Sequence, residues 1–208
     1  MNKVLGATAM GVAMATSQAA AEGGSYGNYE APRYSLQARI GAAELRRYAS
    51  QVSAHVTVEG SRRGALTQGF RILAGYIFGG NGQAASVAMT SPVTQTAKID
   101  MTAPVSQSGA NGTWTVTFMM PSQFSLDTLP PPTDTRVRFS QTEPSDLLVL
   151  PFSGFAGDGR LGAKTKQLRA IAADAGIPIS GEPIFMFYDD PMTLPWQRRN
   201  EVAFVLTP

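Results

Sequence analysis

Several stretches of the chain alternate strictly between apolar and polar positions. Tyr34, Leu36, Ala38 and Ile40 occupy every second place. Val52, Ala54, Val56 and Val58 alternate with Ser53, His55, Thr57 and Glu59. A period of two puts all the apolar side chains on one face of an extended strand. Over residues 62–78 the period changes. Leu66, Phe70, Leu73 and Ile77 recur at spacings of four and three, which is one face of a helix. Gly79-Gly80-Asn81-Gly82 ends that helix with residues that tolerate a left-handed backbone. Residues 86–92 and 96–104 follow as candidate strands. Trp114, Val116, Phe118 and Met120 then alternate with threonines after Asn111-Gly112, a two-residue hairpin signal. Leu129-Pro130-Pro131-Pro132 lacks the N–H groups a ladder needs and reads as a surface loop. Residues 136–140 and 147–152 are further strands. A second helix is expected over 161–175, with Leu161, Leu168, Ile171, Ala172 and Ala175 inward and Gly176 at its end. Residues 184–188 and 201–206 close the chain as strands. Hairpins interrupted by two isolated helices predict an α+β domain, a mainly antiparallel sheet or open barrel carrying both helices.

Composition narrows the function. The chain has 208 residues, enough for one domain with a buried core, and 43% of them are hydrophobic. Such a chain can collapse, so a charged disordered protein is excluded. A net charge of +2 supplies no basic stripe for phosphates, which argues against a nucleic-acid partner. There is no cysteine, which removes disulfides, thiolate metal sites and a thiol nucleophile, and the single histidine removes any multi-histidine site. Lys3, an uncharged run over residues 4–15 and the small residues Ala19-Ala20-Ala21 before Glu22 have the layout of a secretory signal peptide. The run is too short to span a bilayer. The expected organisation is a leader over 1–21, a Gly-rich flexible linker over 22–28 and one domain over 29–208. The product is expected to be exported, periplasmic or secreted, without stable membrane insertion, and monomeric.

One local repeat stands out. Met89-Thr90-Ser91-Pro92-Val93 is followed twelve residues later by Met101-Thr102-Ala103-Pro104-Val105. Its two methionines read either as core filler or as the adaptable lining of an apolar cavity. Further pieces are Tyr76-Ile77 with Gly79-Gly80-Asn81, Phe118-Met119-Met120-Pro121, Pro130-Pro131-Pro132, Phe152-Ser153-Gly154-Phe155, Tyr188 with Pro191 and Pro195, and Arg198-Arg199-Asn200-Glu201-Val202. In this order and spacing the chain resembles the SOUL haem-binding protein family over nearly the whole expected domain. The resemblance implies a distorted β-barrel of two similar halves, each with one long helix packed outside. It also implies non-covalent binding of haem or a related tetrapyrrole, with no axial histidine shared across the family.

Haem is a flat apolar plate with two carboxylates on one edge, so it calls for an apolar slot and one or two cations. In the resembled family the first helix is associated with that slot. At 100° per residue, Arg63, Thr67, Phe70, Arg71 and Ala74 share one flank of the helix. Phe70 and the flat spot at Ala74 suit a porphyrin face, and Arg63 and Arg71 suit its carboxylates; an ordinary amphipathic helix with solvated arginines is the alternative. Asp190 to Trp196 is expected to close over this flank with Met192 and Trp196 as apolar lids, or to leave Trp196 packed on the barrel edge. His55 lies on the polar phase of its strand and reads as solvated rather than as an axial ligand. Tyrosine and methionine remain as ligand types, and a site without a strong protein ligand is the preferred reading. Easy exchange from such a site favours transport, buffering or scavenging over redox catalysis.

Glu201 among Arg198, Arg199 and Asn200 reads as a structural lock, in which it pairs with an arginine and Asn200 turns the chain; the alternative makes Glu201 or another barrel carboxylate the base of a hydrolase or isomerase acting on a small apolar substrate. Gly157-Asp158-Gly159-Arg160-Leu161-Gly162 matches the dinucleotide pattern, with Glu182 twenty residues on, but lacks the alternating strands and helices that build its parallel sheet. A serine hydrolase would need His55 and a G-x-S-x-G elbow, and the elbow is absent.

Overall fold

The computed structural model describes residues 21–82 and 98–207. Residues 1–20, which hold nearly all of the expected leader, and 83–97, which hold the first copy of the Met-Thr-x-Pro-Val repeat, lie outside the described residues. Among the described residues ten strands and two long helices run in the order β1 (Ala21–Tyr26), β2 (Tyr29–Ile40), β3 (Ala43–Tyr48), β4 (Gln51–Glu59), α1 (Arg62–Ile77), β5 (Val105–Ala110), β6 (Thr113–Met119), β7 (Arg138–Thr142), β8 (Ser145–Phe152), α2 (Asp158–Asp174), β9 (Ile179–Phe187) and β10 (Asn200–Leu206).

The strands form one sheet in the order β1-β2-β3-β8-β10-β9-β5-β6-β4-β7, and every strand pair is antiparallel. This excludes the dinucleotide reading of Gly157–Gly162, whose phosphate loop belongs to a parallel sheet. The order ends on β1 and β7, which do not pair with each other. The expected barrel therefore does not close, and the described strands make an open, curled sheet. The segment expected as a flexible linker is also different, because β1 and its turn pair with β2, from Tyr26 opposite Tyr29 outward. Between β5 and β6 the Asn111-Gly112 turn forms as the dipeptide predicts, with positive φ at both residues.

Both helices pack on one face of the sheet. Ala54, Val56, Val58, Val116 and Phe118 bury against α1, while Leu148, Leu150, Val202 and Phe204 bury against α2. Ser61 caps α1 by accepting from the Gly64 N–H. The helix is turned slightly from the expected position. Ala65, Gly69, Leu73, Tyr76 and Ile77 are buried, whereas Leu66 is only partly covered and Phe70 reaches the surface. Gly69 explains the turn. A Cβ there would lie 2.6 Å from a methyl of Val116, so the bare backbone of Gly69 makes the closest approach to β6. Leu66 and Phe70 are displaced to the flank as a result. In α2 Leu161, Leu168 and Ala172 are buried as expected, and Ala175 is exposed. Of the loop at 129–132, Leu129 and Pro130 are buried, and the carbonyl of Pro130 accepts from the Tyr76 hydroxyl. Met101 of the described copy of the repeat is partly buried against the α1 core and also borders a surface cavity.

Candidate functional site

A cleft of about 650 Å³ opens between α1, the loop before α2 and the loop between β9 and β10. That volume falls in the range of small-molecule sites, about 300–1,000 Å³. Arg63, Thr67, Phe70 and Arg71 all line it, so four residues of the predicted helical flank come together at one site. Ala74, one turn farther along, does not line it. The loop over 190–196 contributes Pro191 and Asp190, but Met192 and Trp196, expected as lids, are 88% and 70% exposed and do not line the cleft. The Arg198 guanidinium donates to the carbonyls of Thr193 and Pro191, which pins this loop in an outward bend.

The apolar wall is built from three regions. Phe70 meets Phe118 edge-on at 5.4 Å between ring centres, so one side of the ring is anchored and the other faces the cleft. Val105 and Phe187 come from paired positions on β5 and β9. Phe155 stands opposite, largely exposed, with the Arg198 guanidinium 5.3 Å from its ring centre. Phe155, Phe187 and Arg198 were not predicted as lining residues. Phe155 and Arg198 do fall within the runs that carry the family resemblance, but nothing in their spacing shows which element they face.

The cations of the cleft differ in their commitments. Arg62 is tied down: it pairs with Asp158 at the start of α2, donates to the Ala156 carbonyl and contacts the side-chain oxygen of Gln107. Gln107 returns a hydrogen bond to the Arg62 carbonyl. Arg62 thus fixes the start of α1 against β5 and α2. Arg63 and Arg71 are exposed and, among the described residues, neither takes part in an ion pair. Of the two nearby carboxylates, Asp189 accepts from the Tyr26 hydroxyl and the Arg199 N–H, and Asp190 accepts from the Met192 N–H. The cleft therefore offers aromatic surface and two uncommitted guanidinium groups. Its described lining holds no histidine, cysteine, methionine or tyrosine to serve as an axial ligand.

His55 lies elsewhere. It pairs with Thr117 on β6 and Arg138 on β7, on the face of the sheet opposite the helices and the cleft. It is half-buried rather than solvated, with Nδ1 3.5 Å from the Ser140 hydroxyl. Burial, and after it the charge of Arg138, lowers its pKa from the ordinary value.

Glu201 is on that same opposite face and is fully buried. Its carboxylate accepts two hydrogen bonds from Arg46, two from Arg199 and one from the Tyr188 hydroxyl. Arg46, itself buried, also donates to Glu44 and to the Tyr48 hydroxyl. Burial raises the pKa of Tyr48 and of Tyr188, and the Glu201 charge adds to it, so both phenols stay protonated, Tyr48 accepting from Arg46 and Tyr188 donating to Glu201. A carboxylate held by five donors has no lone pair free for a substrate proton. The arrangement is the lock, tying β3, β9 and β10 together, rather than the base of a hydrolase. Asn200, expected to turn the chain, instead begins β10 and donates to the Gly154 carbonyl.

Comparisons with known proteins bear on the same chain. Residues 29–205 match the family model described as SOUL heme-binding protein. Heme-binding protein 1 of Xenopus laevis is 29% identical over 156 residues, which is 75% of this chain and 76% of that protein. Among solved structures, a hydrolase from Listeria innocua superposes with a TM-score of 0.54 at 10% identity, covering 82% of this chain and 94% of that one. The EcmrR C-terminal domain superposes with a TM-score of 0.56 at 10% identity, covering 79% and 96%. At such identity the two structures share the fold and no more. With the family model spanning β2 to β10, the chain belongs to the SOUL haem-binding protein family.

Proposed function

We propose that the protein binds haem or a related tetrapyrrole non-covalently in the cleft beside α1, as an exported carrier, buffer or scavenger. One observation carries the placement: an aromatic wall of Phe70, Phe155 and Phe187 stands next to two arginines that, among the described residues, no carboxylate pairs with. A porphyrin matches both halves of that description, an apolar plate for the rings and two carboxylates for Arg63 and Arg71. Family membership and the frog relative's name support haem as the ligand. The macrocycle is held by burial and ion pairing, and His55 takes no part because it faces away. Exchange is then fast, which suits delivery or storage. Among the described residues no helix is long and apolar enough to cross a membrane.

Titration with hemin, following the Soret band and tryptophan fluorescence, tests the reading directly. Saturable changes at micromolar hemin are expected, and their absence sinks it. For export, the N-terminus of the protein recovered outside the cytoplasm is expected to start at Glu22.

A further inference from the structure

The face of the sheet away from the helices carries its own cavity. It measures about 390 Å³ and is bordered by residues of every strand except β1, because the sheet curls around it. We propose that this cavity is a second binding site, for an uncharged amphiphile with a hydroxyl-bearing head and a hydrocarbon body.

The chemistry of its two banks carries the assignment. On the β7-β4-β6-β5 side, register places Ser140 beside Ser53, and His55 beside Thr117, which is itself beside Ser106. This makes a patch of hydroxyls around one imidazole. It is not a solvated surface, for Ser53 is buried and the other four are half-buried. On the β8-β9-β10 side the cavity meets Leu147, Ile184, Met186 and Val205. Among the described residues no Asp, Glu, Lys or Arg lines it. The lowered pKa of His55 keeps the imidazole neutral near pH 7, with burial as the main cause and Arg138 the second. Arg138 is the charged group that faces it from β7.

At one end Gln51 borders both this cavity and a smaller one of about 170 Å³. The Gln51 Oε1 is buried and has no hydrogen-bond partner among the described residues. A buried acceptor without a partner is costly, so a polar group from a bound molecule near it is favoured. The banks match a ligand with hydroxyls on one part and hydrocarbon on the other. A dicarboxylate porphyrin is a poor match, because no cation is among the described lining residues and Arg138 donates instead to the carbonyls of Thr135 and Val137. The cavity and the cleft share no lining residue and lie on opposite faces of β5, where Val105 looks one way and Ser106 the other.

The probe for a test is n-octyl β-D-glucoside, below its micellisation threshold, titrated calorimetrically into the full chain with and without hemin. One saturable site is expected, with the same affinity in both cases. Octyl sulfate, with the same tail and a charged head, is expected to bind at least about tenfold more weakly. Thr117→Trp fills the cavity from β6 and is expected to weaken glucoside binding at least about tenfold while hemin titrates as in the wild type. Ser108→Phe does the same from β5, should Thr117→Trp fail to fold. No saturable heat with the glucoside, displacement by hemin, equal binding of the sulfate, or wild-type affinity in a folded cavity-filling variant each overturns the proposal.

Discussion

Arginine appears in two settings in this molecule, and the contrast separates architecture from binding. On the open face of the sheet, Arg46 and Arg199 converge on Glu201, with Glu44, Tyr48 and Tyr188 completing the set. Both carboxylate oxygens of Glu201 have their donors. On the helix side, Arg63 and Arg71 stand at the rim of a cleft with aromatic walls, and among the described residues neither is in an ion pair, because Asp189 and Asp190 of the lining are hydrogen-bonded elsewhere. The residue type is the same and the charge is the same. A buried guanidinium whose partners are all within the fold serves stability and strand register. An exposed one whose partners are missing is available to a ligand. The charged run at 198–201 is the more conspicuous in the sequence, yet it belongs mainly to the first class.

Five substitutions can break or sharpen this contrast. The largest effect is expected from Glu201→Gln, which leaves Arg46 and Arg199 without their shared counter-charge inside the protein. Urea unfolding is expected to show a loss of about 3–5 kcal/mol, with hemin affinity of the folded fraction unchanged. A strong loss of hemin affinity in a stably folded variant would erase the distinction. Phe70→Asp comes next. It sets a carboxylate against the porphyrin and removes an aromatic contact, which is expected to weaken hemin binding by about 2 kcal/mol or more. Because Phe70 also rests on Phe118, the melting temperature must be measured beside the Soret titration.

Arg63→Ala and Arg71→Ala are expected to lower hemin affinity by about two- to fivefold each, as exposed pairs do. The loss should shrink as salt is raised, which a titration series in increasing NaCl checks. His55→Gln is the smallest. Hemin affinity is expected to stay within about twofold. Its effect is on acid stability: with a lowered pKa in the folded state, the unfolded chain takes the proton first. The wild type therefore loses stability as pH falls below the ordinary value of 6.5 toward the folded value, and the variant escapes that loss. Parallel melting curves at pH 7.5 and pH 5 read it, and an identical pH response in both proteins speaks against a buried imidazole.

The strands that sequence patterning found are those with apolar residues on their covered phase, such as Ala54, Val56 and Val58 or Val202 and Phe204. The ones it missed put polar groups there. β3 buries Arg46 because Glu201 and Glu44 await it, and β5 buries Gln107 because Arg62 does. Glu44 is a near neighbour of Arg46, but Glu201 lies 155 positions from it and Arg62 lies 45 positions from Gln107, so no local window contains the whole reason. β1 is Gly-rich and has little side-chain alternation to read. The site divides in the same way. Arg63, Thr67, Phe70 and Arg71 follow from the 3.6-residue period of one helix. Phe155, Phe187 and Arg198 reach the cleft through the packing of two loops, and whether Trp196 faces in or out depends on hydrogen bonds from Arg198 to backbone carbonyls. The turn of α1 hung on Gly69, a residue whose contribution is the absence of a side chain.

The position of β10 has a consequence for timing. It is the last strand in chain order, yet it lies inside the sheet, with β8 on one side and β9 on the other. Until it is in place, β3-β8 and β9-β5 are separate pieces with no strand joining them. A ribosome adding about 5–20 residues per second exposes the bare edges of β8 and β9 for as long as it takes to deliver residues 200–206 and clear them of the exit tunnel. The sheet is therefore assembled after synthesis of its last strand rather than during elongation, and its non-local pairings make that assembly slow. The partly made chain is the form most open to aggregation, and also the form most easily threaded through a narrow channel.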